Sequence, residues 1–353
     1  MMAFPGVIRI SPYTLLRKER RLPVMGDVLV QPGTSVEASQ VIAKGFLSDW
    51  VCLDVIGELN VSEDQLELFL IKKPGEEIEK GEELAVKKGV LPFTSYSYIS
   101  PVSGRIVATG MGQVIIETVS KEVELKAGLK GTVKEIIPYY GAVVEGKGAV
   151  VETVWANGRE GQGILRILEE GKTSHLRADD LDPGNRGFIL VCGGVEDEKA
   201  LEKAADIRVA GIVVGSLKLG LRKKALSMPY PIQVTEGFGD IPMSSIAFEL
   251  FRGYEGQEAS LLLGDSIARR PCVFIPVAGE IITAEASPGV LKVGSKVRGS
   301  RDPYRGKCGV VQELPRYEVH LESGYTVSVA RVRLEDGEEV EIPLSNLELI
   351  DET

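Results

Sequence analysis

The sequence predicts a multidomain, mainly β protein with one α/β domain, and three observations support this. A phrase built on Pro32-Gly33 recurs at Pro74-Gly75, and such internal repeats indicate a repeated structural unit. Forty glycines and eighteen prolines against 6% aromatic residues are typical of short strands joined by many turns. In residues 187–251, apolar runs alternate with segments of helical periodicity, which indicates parallel strands joined by helices.

These patterns divide the chain into three predicted domains. Residues 1–168 hold the internal repeats and form a β-rich domain. Residues 169–277 begin with a polar linker, residues 169–186, and continue as a small α/β domain. Residues 278–353 return to strand alternation and form a small C-terminal barrel.

Charge and cysteine content limit the classes of function. The formal charge of −10 argues against a chain whose whole surface coats nucleic acid, although it is compatible with one basic face. There is no apolar run of the length that spans a membrane, and the start lacks the apolar core of a signal peptide. The four cysteines are widely spaced, without a C-x-x-C pair, and predict reduced, mostly buried thiols. We therefore expect a cytoplasmic protein with no membrane partner.

The repeated phrase carries a resemblance to a known class of domain. The pattern P-G-x-x-[V/I]-E-x-G-E-x-L-A, followed by residues 100–106 with the sequence SPVSGRI, resembles biotinyl/lipoyl-like barrel-sandwich hybrid domains over roughly residues 26–120. In that class a carrier lysine lies about ten residues after the glycine of the G-E-x-L phrase, and here that place, counted from Gly81, is taken by Leu91. The resemblance implies a barrel-sandwich hybrid without the carrier lysine. No bound cofactor is expected.

The α/β segment predicts a three-stranded parallel layer whose strands begin near Phe188, Gly211 and Pro231. Because ligands gather at the carboxyl ends of parallel strands, two loops are candidates for binding a small anionic ligand. Their candidate residues are Gly215, Ser216, Lys218, Glu236, Gly237 and Gly239. Glu236 suits acid/base chemistry, and equally a structural role in the turn. The two histidines are far apart in sequence, so no metal site and no catalytic residue is predicted.

The last segment carries a second resemblance. Residues 294–298 and 302–311, with their glycine-valine spacing, resemble a KOW motif over roughly residues 292–350. Such modules are small SH3-like barrels of ribosomal proteins and NusG-type transcription elongation factors, so the resemblance implies an RNA or ribonucleoprotein partner. A basic loop carrying an aromatic residue suits phosphate contact with base stacking. Its candidate residues are Lys296, Arg298, Arg301, Tyr304, Arg305 and Lys307.

The function predicted from sequence is a non-enzymatic adaptor that contacts RNA or a ribonucleoprotein through this basic loop. Two other interpretations of the basic loop are possible from the sequence. It docks onto an acidic protein surface, including that of this chain itself, or it is a solvated loop without a partner. The alternative function is a binding protein or enzyme that uses the α/β loops for a small anionic ligand. A lipoyl- or biotinyl-type carrier is the least favoured hypothesis. The sequence predicts no oligomeric state.

Overall fold

A computed structural model describes residues 6–88, 95–118, 121–168, 173–264, 269–278 and 290–351. The chain is mainly β, with several sheets and a few short helices. No helix in these ranges is long and apolar enough to cross a membrane. Leu91, at the place of the carrier lysine, lies outside the described residues.

The first thirteen strands contain the repeated phrases. They are β1 (Gly6–Arg21), β2 (Gly26–Val28), β3 (Ser35–Val36), β4 (Val41–Leu47), β5 (Trp50–Asp54), β6 (Glu77–Ile78), β7 (Glu83–Lys88), β8 (Ser95–Ile99), β9 (Gly104–Gly110), β10 (Gln113–Thr118), β11 (Lys121–Lys126), β12 (Gly131–Ile137) and β13 (Gly141–Glu152). Two short helices, α1 (Val55–Leu59) and α2 (Leu66–Phe69), lie between β5 and β6.

The two copies of the phrase form equivalent turns, as their sequences predict. Gly33 and Gly75 both adopt positive φ, 86° and 98°, which the turn requires. The amide of Gly33 donates to Val133 O, and the amide of Gly75 donates to Ile106 O, both at 2.7 Å. Each phrase therefore pairs with one copy of a second repeated phrase, which begins at Gly104 and again at Gly131. Strand β6 pairs with β9, and β3 pairs with β12.

The two units are nested in the chain. The inner repeat unit, residues 50–118, contains the β5-β10-β9-β6 sheet and the β7–β8 pair. The outer repeat unit, residues 26–47 and 121–145, contains the β11-β4-β2 sheet and the pairing of β3 with β12. The inner unit encloses its own apolar cluster, which includes Ile106 and Ile116. The apolar cluster of the outer unit, which includes Ile42 and Val144, is shared with Phe274 of a later strand.

The α/β segment adds nine strands and three helices. The strands are β14 (Trp155–Ala156), β15 (Gly161–Ile167), β16 (His175–Leu176), β17 (Phe188–Cys192), β18 (Gly194–Val195), β19 (Gly211–Leu217), β20 (Ile232–Phe238), β21 (Glu258–Leu262) and β22 (Cys272–Pro276). The helices are α3 (Glu198–Ile207), α4 (Arg222–Ser227) and α5 (Ser245–Gly253). Strands β15, β17, β19 and β20 are parallel, and antiparallel pairing continues through β21 and β22 to β13.

Both faces of this sheet are covered by helices, because alternate side chains of each strand point to opposite faces. In β17, Ile189 and Val191 pack against α5, whereas Leu190 and Cys192 pack in the cluster that contains α3 and α4. The sequence predicts this alternation of strand and helix. The sequence also predicts that the last helix starts at Pro242, but α5 begins at Ser245, because the Ser244 hydroxyl caps it.

Two expectations for this segment are corrected. The parallel layer has four strands rather than three, since β15 joins β17 across the predicted boundary at residues 168/169. Strand β15 begins with Gly161-Gln162-Gly163, a glycine-rich sequence that by itself predicts a loop. The polar stretch of residues 169–186 is more than a linker in its described part, because Leu176 and Leu181 are buried in the core.

The final strands form the C-terminal sheet, in the order β28-β23-β24-β26-β27. They are β23 (Lys296–Gly299), β24 (Cys308–Glu313), β25 (Glu318–His320), β26 (Thr326–Leu334), β27 (Glu339–Pro343) and β28 (Leu347–Asp351). Strand β1 connects this sheet to the rest of the chain. It pairs in parallel with β28 at Gly6–Arg9 and antiparallel with β13 along the remainder of its length.

The four cysteines are free thiols, and only Cys52 among them is exposed. Burial raises the pKa of Cys192 and of Cys308 to about 12. Both stay protonated at neutral pH and are therefore poor nucleophiles.

Candidate functional site

A cleft of about 310 Å³ lies where the carboxyl end of β20 meets the loop between β23 and β24. We call it the strand-end cleft. Gly237 and Phe238 come from the end of β20, and Arg305 and Gly306 come from the loop. The structure thus brings together two sets of residues that the sequence predicts as separate sites. The position agrees with the general rule that ligands bind outside the carboxyl ends of parallel strands.

Arg298 of β23 connects the C-terminal sheet to the end of β20 through hydrogen bonds and ion pairs. Its side chain is 4% exposed. Nη1 donates to the carbonyl oxygen of Thr235 at 3.1 Å and to Glu236 Oε2 at 2.7 Å. Nε and Nη2 both donate to Glu348 Oε2. Because these contacts occupy the guanidinium within the chain, Arg298 offers no exposed face to an RNA phosphate.

The two carboxylates around Arg298 have different electrostatic environments. Burial raises the pKa of Glu236, although Arg298 and the Ser244 amide, which donates to Oε1 at 3.0 Å, oppose the rise. For Glu348, burial also disfavours the charge, but the positive charges of Arg298 and Arg270 outweigh it and lower the pKa. Arg270 Nη2 lies 2.7 Å from Glu348 Oε1. Glu236 is therefore engaged in a structural ion pair and a turn.

The lowered pKa of Glu348 predicts the sign of one pH effect. A carboxylate with a depressed folded-state pKa contributes stability above its unfolded pKa of about 4.3, and this is lost as pH falls through the folded value. We expect Glu348→Gln to make the acid limb of the stability profile shallower below about pH 5. Urea midpoints measured from about pH 6 to pH 3 test this. An acid limb as steep as that of the wild type contradicts it.

Arg305 provides an available positive charge at the cleft. Its guanidinium lies over Gly237, where an added Cβ would stand 2.8 Å from Nη2. Within the described part of the chain, its side chain has no hydrogen bond or ion pair. A guanidinium presents a planar fork of donors that matches a carboxylate or a phosphate. Arg305 is therefore positioned to hold an anion.

The lining of the cleft also contains two aromatic side chains, Trp155 and Phe238. The rings of Trp155 and Phe238 meet edge to face, with centroids 5.5 Å apart and an interplanar angle of 68°. Both side chains are partly buried and, together with Val154, line the cleft. Trp155 reaches this place because β14 pairs with β20, with Trp155 opposite Val234. An apolar wall of this kind suits a flat or ring-containing group.

The loop that carries Arg305 approaches the strand end very closely. Gly306 adopts a φ of 78°, and an added Cβ would lie 2.5 Å from Cγ2 of Ile241. Gly237 has a φ of 114°, in a region that side chains rarely adopt. Both glycines are needed for the loop and the strand end to meet.

The remaining residues of the predicted basic loop have varied surroundings. Lys307 forms ion pairs with Asp336 at 3.2 Å and with Glu338 at 3.8 Å. Tyr304 is half-buried and packs against the core of the C-terminal sheet. Lys296 and Arg301 are exposed. Arg298 and Lys307 contact acidic groups of their own chain, which is one of the alternatives that the sequence left open for this loop. Contact of the loop with RNA stays a prediction.

The other predicted ligand loop is closed by its neighbours. An added Cβ on Gly215 would lie 2.4 Å from the Met243 amide nitrogen, so its backbone is covered. The hydroxyl of Ser216 accepts a hydrogen bond from the Ile241 amide at 2.9 Å. Lys218 is exposed and donates to a carbonyl oxygen at 3.3 Å. Gly239 is exposed beyond the cleft.

Sequence reasoning missed three parts of the strand-end cleft: Trp155, Glu348 and the wall formed by Phe238. Trp155 lies in a two-residue strand that has no periodic pattern, and Glu348 lies in residues 317–353, where ten acidic residues stand against two arginines. No local signal in the sequence connects either residue to β20. Only the pairing of β14 with β20 and of β23 with β28 brings them there.

Compared with known proteins, the chain matches no protein-family model and no curated protein.

Proposed function

We propose that the protein binds a small anionic ligand and that the strand-end cleft is the binding site. The observation that carries this proposal is the guanidinium of Arg305, which faces the cleft without a partner among the described residues. The aromatic side chains that line the same cleft favour a ligand with a ring-sized apolar group. A carboxylate or phosphate monoester attached to such a group combines both features.

The local charge supports an anion. The charged groups at and behind the cleft are Arg270, Arg298, Arg305, Glu236 and Glu348. Three cations against two carboxylates leave one positive charge in excess, and this excess lies at Arg305 because the others are paired. The volume of about 310 Å³ is at the lower end of the range for small-molecule sites. The cleft thus suits a ligand with one ring better than a dinucleotide.

The test replaces Arg305 by alanine and uses benzoate, phenyl phosphate and adenosine monophosphate as probes. We expect at least one of these ring-bearing anions to raise the unfolding temperature of the wild type, and Arg305→Ala to weaken its binding about tenfold or more. Stability without ligand should change by less than about 0.5 kcal/mol, because Arg305 makes no paired contact. Isothermal titration calorimetry gives the affinities.

The matched control is Arg301→Ala, which removes an exposed arginine from the same loop. It should leave the affinity of the ring-bearing probe unchanged. If the two variants lose affinity equally, the effect is a general loss of positive charge and the proposed site is wrong. If no probe stabilises the wild type, the ligand class is wrong.

We also infer the finer fold classes that the two resemblances imply. Two nested units, each pairing a Pro-Gly turn with a strand of the second phrase, support a barrel-sandwich hybrid without a carrier lysine. The strand order β28-β23-β24-β26-β27 supports an SH3-like barrel of the KOW type. An intact mass with a lipoyl or biotinyl addition after native expression would contradict the first inference.

A further inference from the structure

A second cleft, of about 350 Å³, lies between strand β1 and the segment that leads into β22. We call it the basic cleft. The charged residues that line it are Arg9, Arg17, Lys18, Arg269, Arg270 and Glu152. Five cations against one carboxylate stand in contrast to the net charge of −10 for the whole chain. Three of the cations, Arg9, Arg17 and Lys18, belong to β1, and none of them takes part in the function proposed above.

Lys18 is the most unusual member of this lining. The residue is 6% exposed, and its Nζ donates to the carbonyl oxygen of Leu263. No carboxylate meets this ammonium group within the described ranges. An ammonium has three donors and a full charge, and burying it without a counter-ion costs several kcal/mol. An anion in the cleft would supply the missing counter-charge.

Two further donors in the same cleft make no hydrogen bond within the described residues. Arg9 Nε and Arg270 Nη1 are both buried, and neither has a hydrogen bond within the described part of the chain. Buried donors are almost always satisfied in folded proteins, by protein groups, water or a bound ion. Together with Lys18, they are three incompletely satisfied cationic groups lining one cleft.

Several described carboxylates lie near the cations of the cleft. Arg17 pairs with Glu145 at 2.6 Å, and Arg270 pairs with Glu348 at 2.7 Å. Asp351 Oδ2 is 3.8 Å from Arg9 Nε, and Glu152 accepts the Arg9 backbone amide. Glu145 and Glu348 are each shared with another cation, Lys134 and Arg298. Two of these four carboxylates therefore also serve cations outside the cleft, which limits the negative charge that they contribute to it.

We propose that the basic cleft binds a tetrahedral oxyanion, either free phosphate or the phosphate group of a small monoester. Guanidinium and ammonium donors that converge from several directions match the several acceptor oxygens of such an anion. The two clefts share no lining residue, and Arg270 is the connection between them, because it lines the basic cleft and pairs with Glu348 of the strand-end cleft. Binding here does not require Arg305.

The experiment measures binding of inorganic phosphate, sulfate and glycerol phosphate by calorimetry and thermal shift, at low ionic strength. Phosphate should raise the unfolding temperature of the wild type more than sodium chloride does at equal ionic strength. Lys18→Met should weaken phosphate binding at least tenfold without lowering stability in phosphate-free buffer, because it removes a buried unpaired charge of similar shape. Lys203→Met, the same change at an exposed position of α3, should leave both quantities unchanged.

Arg305→Ala should retain phosphate binding, which separates this site from the strand-end cleft. If Lys18→Met does not fold, Arg9→Gln provides a second test and should also weaken phosphate at least tenfold. Tighter binding of glycerol phosphate than of inorganic phosphate would assign the anion to a small monoester, and the reverse order would assign it to the free ion. The proposal is overturned if phosphate acts no differently from chloride, or if Lys18→Met binds phosphate as the wild type does.

Discussion

Replacing Arg298 by methionine is expected to lower the free energy of unfolding by about 3–5 kcal/mol, the usual cost of removing one partner of a buried ion pair. The change leaves Glu236 buried beside an apolar side chain, and it also removes the donor to the carbonyl oxygen of Thr235. Urea unfolding followed by circular dichroism measures the loss.

A second replacement identifies the cause of this loss. Glu236→Gln in the Arg298→Met background should recover part of the stability, because a neutral amide costs less to bury than an unpaired carboxylate. The control Arg301→Met, an exposed arginine of the same region, should change stability by less than about 0.5 kcal/mol. A loss of less than about 1 kcal/mol in Arg298→Met would show that the pair does not hold the two parts together.

The second large effect is expected at Gly237. An alanine there must adopt a φ of 114° and place its Cβ 2.8 Å from Nη2 of Arg305. Backbone strain of this kind costs about 1–3 kcal/mol. We also expect ligand binding in the strand-end cleft to be lost, since Arg305 must move. Urea unfolding and calorimetry with the ring-bearing probe measure the two effects.

A double variant separates strain from steric conflict. In Gly237→Ala/Arg305→Ala the clash is removed but the backbone strain remains, so only part of the stability should return. Gly253→Ala is the matched control, because that glycine ends α5 with no neighbour within 4 Å of an added Cβ. Equal losses in Gly237→Ala and Gly253→Ala would contradict the role assigned to Gly237.

Local patterns predicted the local structure well. The Pro-Gly phrases have the positive φ that their glycines suggested, and the apolar spacing of α3 and α5 corresponds to their buried faces. In β27, the alternation of Val340 and Ile342 with glutamates corresponds to one buried face. Each of these features depends on neighbours within a few positions of the chain, and that range is what periodicity and turn chemistry report.

The candidate site could be predicted only in pieces. Gly237 and Arg305 were each identified from local cues, but nothing in the sequence placed one against the other. Arg298 lies two residues after the exposed Lys296, and its sequence context predicts a surface residue. It is buried because the outer face of β23 packs on the end of β20, a contact between segments 62 residues apart in the chain. Tertiary packing of this range leaves no periodic signal.

The nesting of the two repeat units gives the chain an insertion architecture. Leu47 pairs with Lys121 and Trp50 pairs with Glu117, so the chain leaves the outer unit and returns to it at adjacent points. Segments with neighbouring ends are those that proteins gain, lose and exchange most readily. Replacing the inner unit by another segment with neighbouring ends is therefore expected to leave the pairing of β4 with β11 intact. We also expect the inner unit to fold before the outer one, because a folded inner unit shortens the loop that the pairing of β4 with β11 must close.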